Sequence, residues 1–107
     1  MAVDSGSNFL GFNFVRNSKR YIEPNKAKQI INTIENKVVI VGVFQNERVA
    51  RVNEVGSLLN LGFVQLHGSE DNEYISQINF PVIKSIKEGD NPRVIEADYF
   101  LLDRKEQ

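Results

Sequence analysis

Four groups in this sequence are of types that could do chemistry: the basic cluster Arg16, Lys19 and Arg20, the single histidine His67, the lysine Lys84 and the carboxylate Asp103. Each follows on a short apolar run. An arginine guanidinium offers a rigid, two-pronged set of donors that fits a planar carboxylate, so the cluster reads as an anion grip or as an ordinary solvated loop. A lone histidine on an otherwise apolar strand reads as a hydrogen-bonded structural residue or as a catalytic group. Lys84 reads as a strand end reaching water. Asp103, after Leu101-Leu102, reads as a turn starter or as a general acid of raised pKa. Cysteine is absent, which removes a thiolate nucleophile, a cysteine general base and a Cys-ligated metal. With one histidine and no cysteine, a structural zinc site is not expected.

Five β-rich runs must carry these groups, at residues 9–15, 38–44, 63–67, 80–86 and 99–102. The second is β-branched at nearly every position, as in a strand covered on both faces. Pro81 enters the fourth, where its missing N–H does least harm. Between the first two runs, Ala27, Ile30, Ile31 and Ile34 form one apolar helix face, with Pro24 at the start. Val49, Val52, Val55, Leu58 and Leu59 make the next stripe, with Asn46 as its expected cap and Gly62 just past its end. A third helix is expected after Ser69, its cap, with Tyr74, Ile75 and Ile78 facing inward. The last connection, residues 87–98, holds Gly89 and Pro92 and reads as a turn or one short helical turn.

Composition narrows the class. The chain has 107 residues, 41% hydrophobic and 25% charged, enough apolar content for a core and close to the globular average. Thirteen basic residues against fourteen acidic ones leave a net charge of −1, no electrostatic reason to expect nucleic acid. No basic segment followed by an apolar stretch opens the sequence, so no secretory signal is expected. The longest apolar run, residues 38–44, is far short of the roughly 20 residues of a membrane span. A soluble cytoplasmic protein is expected.

Strands alternating with helices imply a parallel sheet with helices outside it. Two architectures share that pattern: a five-stranded doubly wound sheet, and part of a (β/α)8 TIM barrel, for which roughly 250 residues is typical. Both place function at the carboxyl ends of the strands. From the residues alone the reading stops at an α/β domain with a polar rim suited to an anion.

The motifs carry it further. Phe9-Leu10-Gly11-Phe12-Asn13-Phe14 followed by Ser18-Lys19-Arg20-Tyr21-Ile22 resembles the second-strand motif of the phosphoribosylanthranilate isomerase family. Val41-Gly42-Val43-Phe44-Gln45-Asn46-Glu47 resembles the third-strand segment, Val64-Gln65-Leu66-His67-Gly68 the fourth, Val82-Ile83-Lys84 the fifth and Leu101-Leu102-Asp103 the sixth. The resemblance implies an incomplete (β/α)8 barrel over residues 1–107, with the first strand and strands seven and eight absent and residues 1–6 as the tail of the first helix.

The resemblance also implies an Amadori rearrangement in tryptophan biosynthesis, N-(5-phosphoribosyl)anthranilate to its aminoketose. No metal or cofactor is implied, and the partner is a phosphorylated small molecule rather than nucleic acid or membrane. Asp103 matches the family's general acid, Arg20 the arginine that holds the anthranilate carboxylate, and His67 the fourth-strand histidine near the substrate. The sequence departs from the family in lacking the first-strand cysteine base and the glycine-rich phosphate loops, and in carrying Val15-Arg16 where Tyr-Pro is usual. A fragment of a longer reading frame, inactive alone, is therefore expected. The alternatives are a non-catalytic half-barrel that pairs its open sheet edges with another chain or a second copy, and a small doubly wound domain of unrelated function.

Overall fold

The computed structural model describes residues 3–4, 7–34, 37–86 and 95–102, with side chains described for 9–34, 37–86 and 95–100. The strands are β1 (Val3–Asp4), β2 (Ser7–Asn13), β3 (Val39–Phe44), β4 (Phe63–Leu66), β5 (Val82–Ile86) and β6 (Tyr99–Leu102). The helices are α1 (Pro24–Asn32), α2 (Val49–Leu59) and α3 (Asn72–Ser76). The five expected runs are all strands.

The sheet order is β1-β2-β3-β4-β5-β6, with β2 to β6 mutually parallel. This order separates the two candidate architectures. A doubly wound sheet reverses direction at a switch point and puts helices on both faces. Here the strands succeed one another without reversal, and right-handed crossovers then place every helix on one face. The helices α1 and α2 pack against each other accordingly. The sheet is an arc of a (β/α)8 barrel, helices outside.

Register and burial divide its two faces. Leu10, Phe12, Ile40, Gly42, Phe44, Val64, Leu66, Val82 and Lys84 share the helix side. Against them lie Ala27 of α1 and Val52, Val55 and Leu59 of α2, all 2% exposed or less. Phe14 stacks on Phe44 at 5.3 Å between ring centroids. The helices carry no side chain over Gly56, where the Phe80 ring lies directly against the α2 backbone and would overlap any Cβ. The opposite, inner face carries Phe9, Asn13, Val41, Val43, Phe63, Gln65, Ile83 and Tyr99. A file of rings runs across it, Phe9 to Phe63 at 6.4 Å and Phe63 to Tyr99 at 5.5 Å.

Several local expectations are corrected. The β3 strand alternates buried and half-buried residues rather than being covered on both faces. Val3–Asp4 is a short strand antiparallel to β2, not a helix tail. Ile30 is exposed, so the α1 face is carried by Ala27 and Ile31. Pro24 does begin α1. Arg48, not Asn46, is the N-cap of α2, and Asn60, in the left-handed region at φ 54°, ends it ahead of Gly62. Asp71 rather than Ser69 caps α3, accepting from the Tyr74 amide at 2.9 Å. Most of the connection from β5 to β6 lies outside the described residues.

Candidate active site

The basic loop after β2 is a pair of tight turns anchored at its base. The Ser18 amide donates to the Val15 carbonyl at 2.9 Å and the Tyr21 amide to Ser18 at 3.1 Å. The Asn13 side chain accepts from the Val15 amide at 2.8 Å, and the Asn13 carbonyl from the Ile22 amide at 3.0 Å. Asn13, the last residue of β2, thus fixes both ends of the loop that presents Arg16, Lys19 and Arg20. Arg16 pairs with Glu47 at 3.5 Å, whereas Arg20 is exposed and has no carboxylate partner among the described residues. Between this loop and the one after β3 lies a cleft of about 330 Å³, lined by Arg16, Asn17, Gln45, Asn46 and Glu47 over Phe14.

His67 continues the inner face beyond β4. Its amide donates to the Phe44 carbonyl at 2.9 Å. Its ring Nε2 meets the Gln65 side-chain nitrogen at 2.7 Å. Arg20 and His67 therefore stand at the same carboxyl rim, on strands two apart, with no contact between them among the described residues. Asp103, the expected acid, lies outside the described residues and follows the last residue of β6 directly in sequence.

The rim also holds an ion pair that the sequence did not disclose. Lys84 does not reach water: its ammonium donates to the Gly68 carbonyl at 2.5 Å and to Glu70 Oε1 at 3.1 Å. Their side chains are only 8% and 1% exposed. Glu70 Oε1 also accepts from the Gly68 amide at 2.9 Å, and Oε2 from the Asn46 amide at 2.7 Å. One carboxylate therefore ties together the loops after β3 and β4 and the strand β5. Asn46, at φ 51°, turns its side chain to accept from the Ser69 amide at 2.7 Å. It sits so close over Gly68 that a Cβ there would collide with its amide. Ser85, on the inner face with Ile83, is buried, and its hydroxyl has no partner among the described residues.

Tyr74 on α3 closes this network from the helix side, donating to the Glu47 carbonyl at 2.6 Å. Burial first, then the Glu70 and Glu47 carboxylates, push its phenol from 10.0 up to about 12. The folded state therefore holds the phenol proton more tightly than the unfolded chain. This contribution to stability is complete below about pH 10 and is lost as pH rises to about 12. Urea midpoints measured across that window should fall for the native chain and fall less for Tyr74→Phe, which has no proton to lose.

No group of three His, Cys, Asp or Glu side chains with metal-binding geometry occurs among the described residues. No helix there is long and apolar enough to cross a membrane. Among the described residues the rim presents arginine for recognition of an anion, and imidazole and amide groups for hydrogen bonding.

Comparison with known proteins gives this rim a family. Residues 1–106 match the family model of N-(5'-phosphoribosyl)anthranilate isomerase. The isomerase of Bacillus cereus is 42% identical over 107 residues, covering 95% of this chain and 52% of that protein. The crystal structure of the Thermus thermophilus phosphoribosyl anthranilate isomerase superposes with a TM-score of 0.81 at 32% identity, over 92% of this chain and 52% of that one. A second isomerase structure, in complex with reduced 1-(o-carboxyphenylamino)-1-deoxyribulose 5-phosphate, gives a TM-score of 0.77 at 36% identity over 95% and 56% of the two chains. The chain spans about half the length of the curated relatives it matches. The family model spans nearly the whole chain, relatives of that family match it at about 40% identity, and its sequential parallel strands superpose on their structures: this chain belongs to the N-(5'-phosphoribosyl)anthranilate isomerase family.

Proposed function

We propose that these 107 residues form strands two to six of a phosphoribosylanthranilate isomerase barrel and supply the acid and the carboxylate-binding part of its site. The observation that supports this reading most strongly is the rim itself. Arg20 and His67 stand beyond the carboxyl ends of β2 and β4, and Asp103 follows β6 in sequence, on alternate strands of one arc. In this reading Arg20 holds the anthranilate carboxylate and His67 lies against the substrate. Asp103 gives its proton to the ribose ring oxygen. As the C1–O bond breaks, the anthranilate nitrogen lone pair forms a C=N bond at C1. Removal of the C2 proton then yields the enolamine, which tautomerises to 1-(2-carboxyphenylamino)-1-deoxyribulose 5-phosphate. The 107 residues hold no cysteine to remove that proton, so the chain by itself is inactive in this reading.

The test is a graft in which residues 1–106 replace the matching segment of the Bacillus cereus isomerase. Calorimetric titration with reduced 1-(o-carboxyphenylamino)-1-deoxyribulose 5-phosphate should give saturable binding that Arg20→Ala weakens severely and Arg20→Lys only partly restores, because a lysine cannot grip a carboxylate bidentately. Equal affinity in the graft and its Arg20→Ala variant would remove Arg20 from the site.

A second reading is favoured by the inner face, where Phe9 is 37% and Tyr99 56% exposed. A half-barrel that covers those rings with another chain would act as an assembly module. A monomer at all concentrations in analytical ultracentrifugation, with no complex formed by added complementary strands, would dismiss it.

A further inference from the structure

Gln65 stands on the inner face between two aliphatic neighbours, in register with Val43 on one side and Ile83 on the other. Its amide finds a polar partner along its own strand instead, His67 two residues on, at 2.7 Å between Gln65 Nε2 and His67 Nε2. The chemistry of that contact is restrictive. An amide nitrogen has two N–H donors and no lone pair to accept with. The contact is a hydrogen bond only if the imidazole Nε2 carries no proton. A neutral ring must then hold its proton on Nδ1, and Nδ1 has no hydrogen-bond partner among the described residues.

We propose that Gln65 is a positioning residue that fixes His67 as its Nδ1–H tautomer, so that the ring presents a hydrogen-bond donor, and not a base, to an acceptor oxygen at the rim. The inference deepens the isomerase reading and rests on it for the identity of that acceptor, a carboxylate, hydroxyl or phosphate oxygen of the substrate. It divides the labour at the rim. Arg20 contributes charge, Asp103 a transferable proton, and His67 an oriented neutral donor. A histidine whose Nε2 is already engaged by an amide donor has no free lone pair for taking a proton from carbon. Its backbone is held too, the His67 amide donating to the Phe44 carbonyl.

The chain's single histidine makes the test direct. Two-dimensional ¹⁵N–¹H correlation of the imidazole, on the 107-residue chain at about pH 8.5, where an ordinary imidazole is neutral, reports which nitrogen is protonated. The expected result is a pyrrole-like Nδ1 and a pyridine-like Nε2. Gln65→Glu, whose carboxylate can only accept, should invert the pattern to Nε2–H. Gln65→Leu should leave a mixture of the two tautomers. Amide spectra of each variant check that the sheet is unchanged. The native measurement stands without the variants, so a variant that fails to fold leaves a result in hand. An Nε2–H tautomer in the native chain, or one tautomer shared by the native chain and a folded Gln65→Glu variant, would overturn the proposal. The tautomer is read without substrate. An inactive graft would therefore count against the isomerase reading and not against the tautomer, and a wrong tautomer would do the reverse.

Discussion

Replacing Asp103 by asparagine in the graft is expected to lower kcat by about 100- to 10,000-fold while leaving KM within a few-fold, the usual contribution of a positioned general acid. The reasoning is chemical. Opening the ribose ring leaves an alkoxide unless a proton arrives as the C1–O bond lengthens, and an amide of the same shape can donate a hydrogen bond but not transfer the proton. The loss therefore falls on the chemical step and not on binding. Asp103→Glu should recover part of the rate, since it restores the acid at the cost of its placement. The measurement is steady-state kinetics on the three grafts, and an Asp103→Asn graft as fast as its parent would remove Asp103 from the mechanism.

The second large effect is on stability. Glu70→Ala is expected to destabilise the chain by about 3–5 kcal/mol, the cost of leaving a buried partner charge uncompensated. Lys84 would remain in a site where its side chain is 8% exposed. The amides of Asn46 and Gly68 would also lose the acceptor they now share. The pair itself need not contribute net stability, because two charges lost hydration to form it. That distinction is testable: Glu70→Leu combined with Lys84→Met should recover most of the loss, whereas each single variant should not. Urea denaturation of the four proteins gives the coupling between the two positions. Additive losses would mean that Glu70 and Lys84 do not act as a unit.

What could be read from the sequence, and what could not, follows from the range of the interactions involved. The strands were legible because their signal is local. Val38-Val39-Ile40-Val41 is β-branched at every position, and Pro24 stands just before an apolar stripe of helical spacing. Asn46, a residue of good capping type, does not cap α2 because its side-chain oxygen accepts from the Ser69 amide, 23 residues away. Ser69 does not cap α3 because Asp71, two residues further on, holds that position. Glu70 stands in sequence beside two other acids, Asp71 and Glu73, near the start of α3. Its role depends on donors from Asn46 and Lys84, 24 and 14 residues away. No local pattern reports such a convergence. Lys84 was misread for the same reason: the alternation that puts it on the helix side becomes visible only once Leu66 is known to be its neighbour. Strand order likewise needs the register, and it is the register that separates the barrel arc from the doubly wound sheet. By contrast, the rim positions of Arg20 and His67 were available from motif order alone, since each follows a strand in a fold that keeps its chemistry at carboxyl ends.

In the proposed reading this arc carries one part of an isomerase site whose remainder lies in the segments of the family it does not span. The most direct test is turnover of N-(5-phosphoribosyl)anthranilate, followed by its fluorescence, with the 107-residue chain and the graft assayed side by side. Conversion by the graft and none by the chain alone is the expected result. Conversion by the chain alone, or a graft that folds and binds the reduced product yet converts nothing, would contradict that reading.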